Sequence, residues 1–161
     1  QVEVLSKNNN GLEIEIIANG NKKSETFDLV LLSTPADDLS KILGSLASNE
    51  AKRIEKTEYP PVAVVFMGFR RDKVARELDG FGFLIPKIEN REILGSIWSS
   101  TIFPKRAPEG YAAFTTFVGG TRQPDNGLLT NDKLEEIVLK DLNDLIGLNG
   151  KPDFIKIKKE N

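Results

Sequence analysis

The 161-residue sequence contains no cysteine and no histidine. The first absence removes disulfides, thiol nucleophiles and thiolate metal sites. The second removes the commonest general base and metal ligand. Chemistry in this chain falls to carboxylates, lysines, tyrosines, hydroxyls or a bound cofactor, a poor kit for a self-contained catalyst. A dominant charge is missing as well: 22 basic against 24 acidic side chains leave a net charge of −2. The basic pairs Lys22-Lys23, Arg70-Arg71 and Lys158-Lys159 are scattered and form no stripe, so a nucleic-acid partner is not expected. No apolar run approaches the ~18–20 residues that span a bilayer. The longest, VAVVFMGF at 62–69, has the length of a strand. The chain starts at Gln1, one residue before a strand and without an initiator methionine, so it is expected to be a piece of a longer protein.

What is present reads as an α+β domain in two lobes, 1–58 and 59–161. In the first, LEIEIIA puts Leu12, Ile14 and Ile16 on one face, and Asn19-Gly20 is a type I′ hairpin signal. The run FDLVLLS is apolar without alternation over 29–32, the pattern of a strand buried on both faces. Ser33-Thr34-Pro35 ends it, and proline suits the first turn of a helix expected over 36–43. A second helix is expected over 49–56 with Ser48 as its cap. Tyr59-Pro60-Pro61 is a stiff extended hinge and the boundary between the lobes. Beyond it, strands are expected at 62–69, 81–86, 93–99 and 112–118, the middle two forming a hairpin through KIENRE. Leu134, Ile137, Val138, Leu142, Leu145 and Ile146 recur at helical spacing, predicting a helix over 131–146 between a Thr130 cap and a Gly147 stop. A last strand is expected from Phe154. The fold class is therefore a mixed, largely antiparallel sheet backed by helices.

The motifs narrow the function by exclusion. Gly80-Phe81-Gly82 opens like a dinucleotide fingerprint, but Ile85 holds the third glycine position and a strand follows. Gly147 to Lys151 has the wrong spacing for a P-loop. The pairs Asp37-Asp38 and Glu135-Glu136 are expected at helix starts, where they would suit the dipole. Two stretches remain. The run into Ser33-Thr34-Pro35 would place a helix N-terminus at the carboxyl end of a strand, the edge where open α/β sheets bind ligands; on the residues alone an ordinary strand–turn–helix is the favoured reading. In GFGFLIP, Phe81, Phe83 and Ile85 alternate with Gly82 and Leu84, and glycine within a strand marks a bulge or a close approach. Either the strand packs under the 131–146 helix, or it is an apolar floor on which Gly82 leaves room for a flat ligand, lined by Leu84, Ile97 and Phe117.

The runs GFGFLIP, ILGSIWSSTIFPKRAPEG and FTTFVGG resemble the central region of the oxygen-dependent protoporphyrinogen oxidases, flavoproteins of haem biosynthesis. VEVL with FDLVLLSTPADDLSKIL is similar to the part of that family that returns to the flavin domain. The resemblance spans about 2–157 and implies an FAD-dependent oxidoreductase acting on a tetrapyrrole. Lobe 1–58 would be an excised piece of the FAD domain, and lobe 59–161 the substrate-binding domain. Phe81, Gly82, Leu84, Ile97 and Phe117 would line the substrate pocket. Val2 would meet the FAD near its adenine, with Ser33, Thr34 and Pro35 near the cofactor; no metal is implied. The family's GxGxxG segment and its carboxy-terminal flavin segment are absent from this sequence. The chain alone is therefore expected to be inactive, to need those parts as partners, and to self-associate through uncovered apolar surface. A cytoplasmic location is expected, peripheral to a membrane in the complete protein. Two alternatives stay open: another amine-oxidase-type flavoenzyme such as a desaturase, and a stand-alone binding domain without catalysis.

Overall fold

A computed structural model describes residues 2–44 and 46–160, with the backbone alone at Glu160. It divides into two compact units, one ending at Glu58 and the other beginning at Tyr59. In the first unit, β1 (Val2–Asn8), β2 (Gly11–Ala18) and β3 (Asn21–Phe27) form an antiparallel sheet in chain order. Asn19 and Gly20 turn β2 into β3 with φ of 53° and 79°, the left-handed pair that a type I′ turn demands. Helix α1 (Ala36–Leu43) follows Pro35, carries Asp37 and Asp38 in its first turn and has Lys41 in its last, as the helix dipole favours. Helix α2 spans Ser48–Ile54.

Two local expectations for this unit are corrected. Ala47, not Ser48, is the N-cap of α2, and no side chain caps it. Residues 28–33 form no strand, and Leu29 and Leu31 are 83% and 90% exposed. A strand exists through its ladder, and no described strand pairs with this segment; apolar composition alone cannot replace the missing hydrogen bonds.

In the second unit, β4 (Val62–Arg70), β5 (Gly82–Leu84), β6 (Ile93–Trp98), β7 (Tyr111–Gly119) and β8 (Phe154–Glu160) build a five-stranded sheet in the order β5-β6-β7-β4-β8. Every pairing in it is antiparallel. The short helices α3 (Ser99–Ile102) and α4 (Pro124–Gly127) punctuate the connections, and α5 (Asn131–Ile146) is the long one. The Thr130 hydroxyl accepts from Lys133 N, and Gly147 closes α5 with φ 62°; Asp132, not the expected pair Glu135-Glu136, is the acidic residue of its first turn.

Alternation separates the two faces of this sheet. Ala63, Val65, Met67 and Phe69 of β4 have no exposed surface, while Val64 and Phe66 between them are half-buried on the opposite face. The inward residues share one core with Leu134, Ile137, Val138, Leu142 and Ile146 of α5. Each fully buried side chain of this size contributes about 1.5–3 kcal/mol. Ser96 and Thr116, opposite each other on the inward face, satisfy one another through a 2.9 Å hydrogen bond. Among the described residues no helix is long and apolar enough to cross a membrane.

Candidate functional site

Four of the five expected substrate residues meet on the outward face of the five-stranded sheet. Register sets Gly82 opposite Ile97, Leu84 opposite Gly95, and Gly95 opposite Phe117. Gly82, Leu84, Ile97 and Phe117 therefore share one face, turned away from the α5 core. Leu84 is 86% exposed and Ile97 37%, with Phe117 half-buried. Phe81 does not join them: it precedes β5 on the parity of Phe83 and Ile85, and only its carbonyl is engaged, accepting from Trp98 N at 2.9 Å. Ile85 turns inward and is buried, with Phe83 packed against the same core.

Gly82 is needed for a different reason from the clearance expected of it. Its φ is +131°, and a Cβ there would overlap the Ser96 carbonyl oxygen and stand 2.8 Å from Ile97 Cα. The space beside it belongs to the backbone of β6, so the glycine permits two strands to approach. Gly95 does the same from the other side, where a Cβ would overlap the Phe83 carbonyl oxygen.

The hairpin that carries this floor is tied down by polar groups that periodicity does not reveal. Asp141 sits on the buried stripe of α5 with 2% exposure. Its Oδ2 accepts from Glu92 N at 2.9 Å and Ile93 N at 3.1 Å, and its Oδ1 pairs with Arg91 at 3.3 Å. Hydrogen bonds to Asp144 first and Asp141 second hold the Arg91 guanidinium above its ordinary value. Arg122 donates to the Ile85 and Ile93 carbonyls at 2.7 and 3.1 Å, gripping both arms of the β5–β6 hairpin. The signal for Asp141 was there to be read: a carboxylate in the middle of an apolar helical stripe needs a buried partner.

In the first unit, Val2 and Thr34 border one cleft of about 430 Å³ with Glu3, Val4, Asp38, Lys41 and Ile42. Pro35 is the N-cap of α1, and Ser33 does not line this cleft. Asp38 of the first turn of α1 pairs with Lys41 of its last at 3.7 Å.

Known proteins resemble this chain over most of its length. The family described as flavin containing amine oxidoreductase matches residues 1–159. The mitochondrial protoporphyrinogen oxidase of Nicotiana tabacum is 35% identical over 83% of this chain and 27% of its own length. The coproporphyrinogen III oxidase of Bacillus subtilis is 29% identical over 79% of the chain and 27% of its own length. The chain thus spans about a quarter of the length of the curated relatives it matches. Among solved structures, one from Exiguobacterium sp. 255-15 covers 98% of the chain and 33% of its own, at a TM-score of 0.64 and 19% identity. That likeness concerns the fold.

Proposed function

The chain belongs to the flavin containing amine oxidoreductase family, and from that membership we propose that it is the substrate-binding part of an FAD-dependent protoporphyrinogen oxidase. The reaction would oxidise protoporphyrinogen IX to protoporphyrin IX in haem biosynthesis. The observation that carries this reading is the apolar floor of Leu84, Ile97 and Phe117, in register on one sheet face and accessible. A flat apolar macrocycle laid there leaves water at a gain of about 25 cal/mol per Å². FAD would supply the acceptor for hydride, and a cofactor of that kind carries the hard chemistry itself. The protein's part is to seat the ring, fix its face and exclude water, tasks that need neither histidine nor cysteine. In the other unit, Val2 would meet the FAD near its adenine, with Thr34 across the same cleft and Ser33 and Pro35 beside Thr34 in sequence.

The 28–33 segment supports the same reading. It has the composition of a two-sided buried strand and no ladder partner among the described residues, as a strand would whose sheet lies elsewhere in the protein. Turnover is then a property of the complete enzyme, and the chain alone is inactive. The exposed Phe81, Leu84 and Ile88 (76%, 86% and 89%) would drive its self-association. Protoporphyrinogen IX given to the complete FAD-loaded protein should produce porphyrin fluorescence. Leu84→Ser with Ile97→Ser should raise KM severalfold at unchanged FAD content. Wild-type protein that carries FAD and yields no porphyrin overturns the reading.

A further inference from the structure

Leu84, Ile97 and Phe117 come from three different strands, β5, β6 and β7. The weakest of these is β5, which stands at the edge of the sheet and meets β6 through a ladder of three residue pairs. An edge strand of that length is marginal by itself. Opposite Leu84 stands Gly95, which has no side chain to fix where the leucine lies. The floor therefore needs a restraint from outside its own ladder.

Arg122 supplies one that reaches all three strands. Gly119 and Gly120, with φ of 99° and 65°, turn the chain out of β7, and the Pro61 carbonyl accepts from Gly120 N at 2.7 Å. From that turn the Arg122 guanidinium donates to the carbonyl of Ile85, the residue after Leu84, and to that of Ile93, at the start of β6. Ile93 in turn pairs with Val118, the neighbour of Phe117. A guanidinium holds its donors in a rigid planar fork, so it fixes the separation of the two carbonyls it meets. Its Nε is buried without a partner among the described residues, which costs stability. What the side chain contributes is a fixed geometry. Gln123 adds a tie from the same segment, its Nε2 donating to the Arg91 carbonyl at 3.0 Å.

We propose that Arg122 is a positioning residue for the substrate. Its donors are spent on two backbone carbonyls, and it acts on the macrocycle by holding Leu84 beside Ile97 and Phe117 at the spacing a flat ring requires. Without it the β5 arm of the hairpin drifts from the other two strands, and the floor loses its match to the ring. The inference rests on the function proposed above and deepens it, separating the residues that touch the ring from the one that places them.

The test compares the complete FAD-loaded protein with its Arg122→Met and Arg122→Lys variants on protoporphyrinogen IX, alone and combined with Leu84→Ser and Ile97→Ser. Arg122→Met should raise KM about fivefold, the equivalent of one hydrogen bond, with kcat and FAD content unchanged. Arg122→Lys, which keeps a donor for one carbonyl, should recover part of the loss. On the serine floor Arg122→Met should add less than about twofold, because the contacts it positions are already gone. Amide exchange should quicken about fivefold over 82–97 and stay the same over 62–70. An unchanged KM, or a fall in kcat at constant KM, overturns the proposal. So does a full further loss on the serine floor, since a residue that met the substrate itself would lose as much there as in wild type. Exchange over 82–97 that does not change overturns it as well. Should Arg122→Met fail to fold, Arg122→Lys decides by the same outcomes. Wild-type protein that oxidises no protoporphyrinogen IX sinks the function itself, a failure distinguishable from that of the clamp, which the exchange rates report on their own.

Discussion

Replacing Gly82 by alanine should destabilise the unit that begins at Tyr59 by about 3–5 kcal/mol. The φ of +131° lies in a region that side chains rarely enter, which costs about 1–3 kcal/mol. The new Cβ would also overlap the Ser96 carbonyl oxygen, so β5 and β6 must part where Gly82 faces Ile97. Each ladder hydrogen bond lost there costs about 1 kcal/mol. Shifting the partner strand does not relieve this, because Gly95 brings β6 equally close to the Phe83 carbonyl. Gly150→Ala is the matched control: its φ is +80° with nothing within 4 Å, so it carries strain without overlap, about 1–2 kcal/mol. The chain has one tryptophan, and Trp98 is 3% exposed in the core of the affected unit. Its fluorescence during urea unfolding therefore reports on that unit. With a slope of about 2 kcal/mol/M, Gly82→Ala should lower the midpoint by about 2 M, well beyond Gly150→Ala. Equal midpoints for the two variants would refute the close-approach reasoning and return Gly82 to the role of leaving room for a ligand.

Two further outcomes follow from the polar contacts. Asp141→Ala leaves the Glu92 and Ile93 amides and Arg91 without their acceptor, and should cost about 3–5 kcal/mol by the same assay; a loss below about 1 kcal/mol would show that water replaces the carboxylate. Asp153 is held below the ordinary carboxyl value of 3.8, first by its hydrogen bond from Lys73 and then by Arg70 N, against a desolvation that pushes the other way. A depressed folded value means that its contribution is present above about pH 4 and drains away as pH falls through the folded value. Wild-type protein should lose more stability than Asp153→Asn between about pH 5 and pH 3; parallel pH profiles would rule this out.

Much of the architecture was legible because it is written in nearest-neighbour chemistry. Asn19-Gly20 demanded positive φ at two successive residues, and the turn has it. The α5 stripe, its Thr130 cap and its Gly147 stop are spaced by the helix itself. The alternation of strand residues placed Leu84, Ile97 and Phe117 as candidates for a common face. The pairing of β4 with β8 was not legible, since β8 joins β4 from more than eighty positions away in sequence. Nor were the partners of Asp141 and Arg122, which hold the hairpin from α5 and from the segment after β7.

By itself the amino-acid order determined helices α1, α2 and α5 and which segments can be strand, because period, turn residues and caps act over a few positions. It also determined a chemistry without histidine or cysteine. Tertiary structure alone decided which strands pair and in what register. It turned Gly82 from a vacancy into a contact between two backbones, and it left 28–33 outside any ladder, since a strand is made real only by the chain that lies beside it.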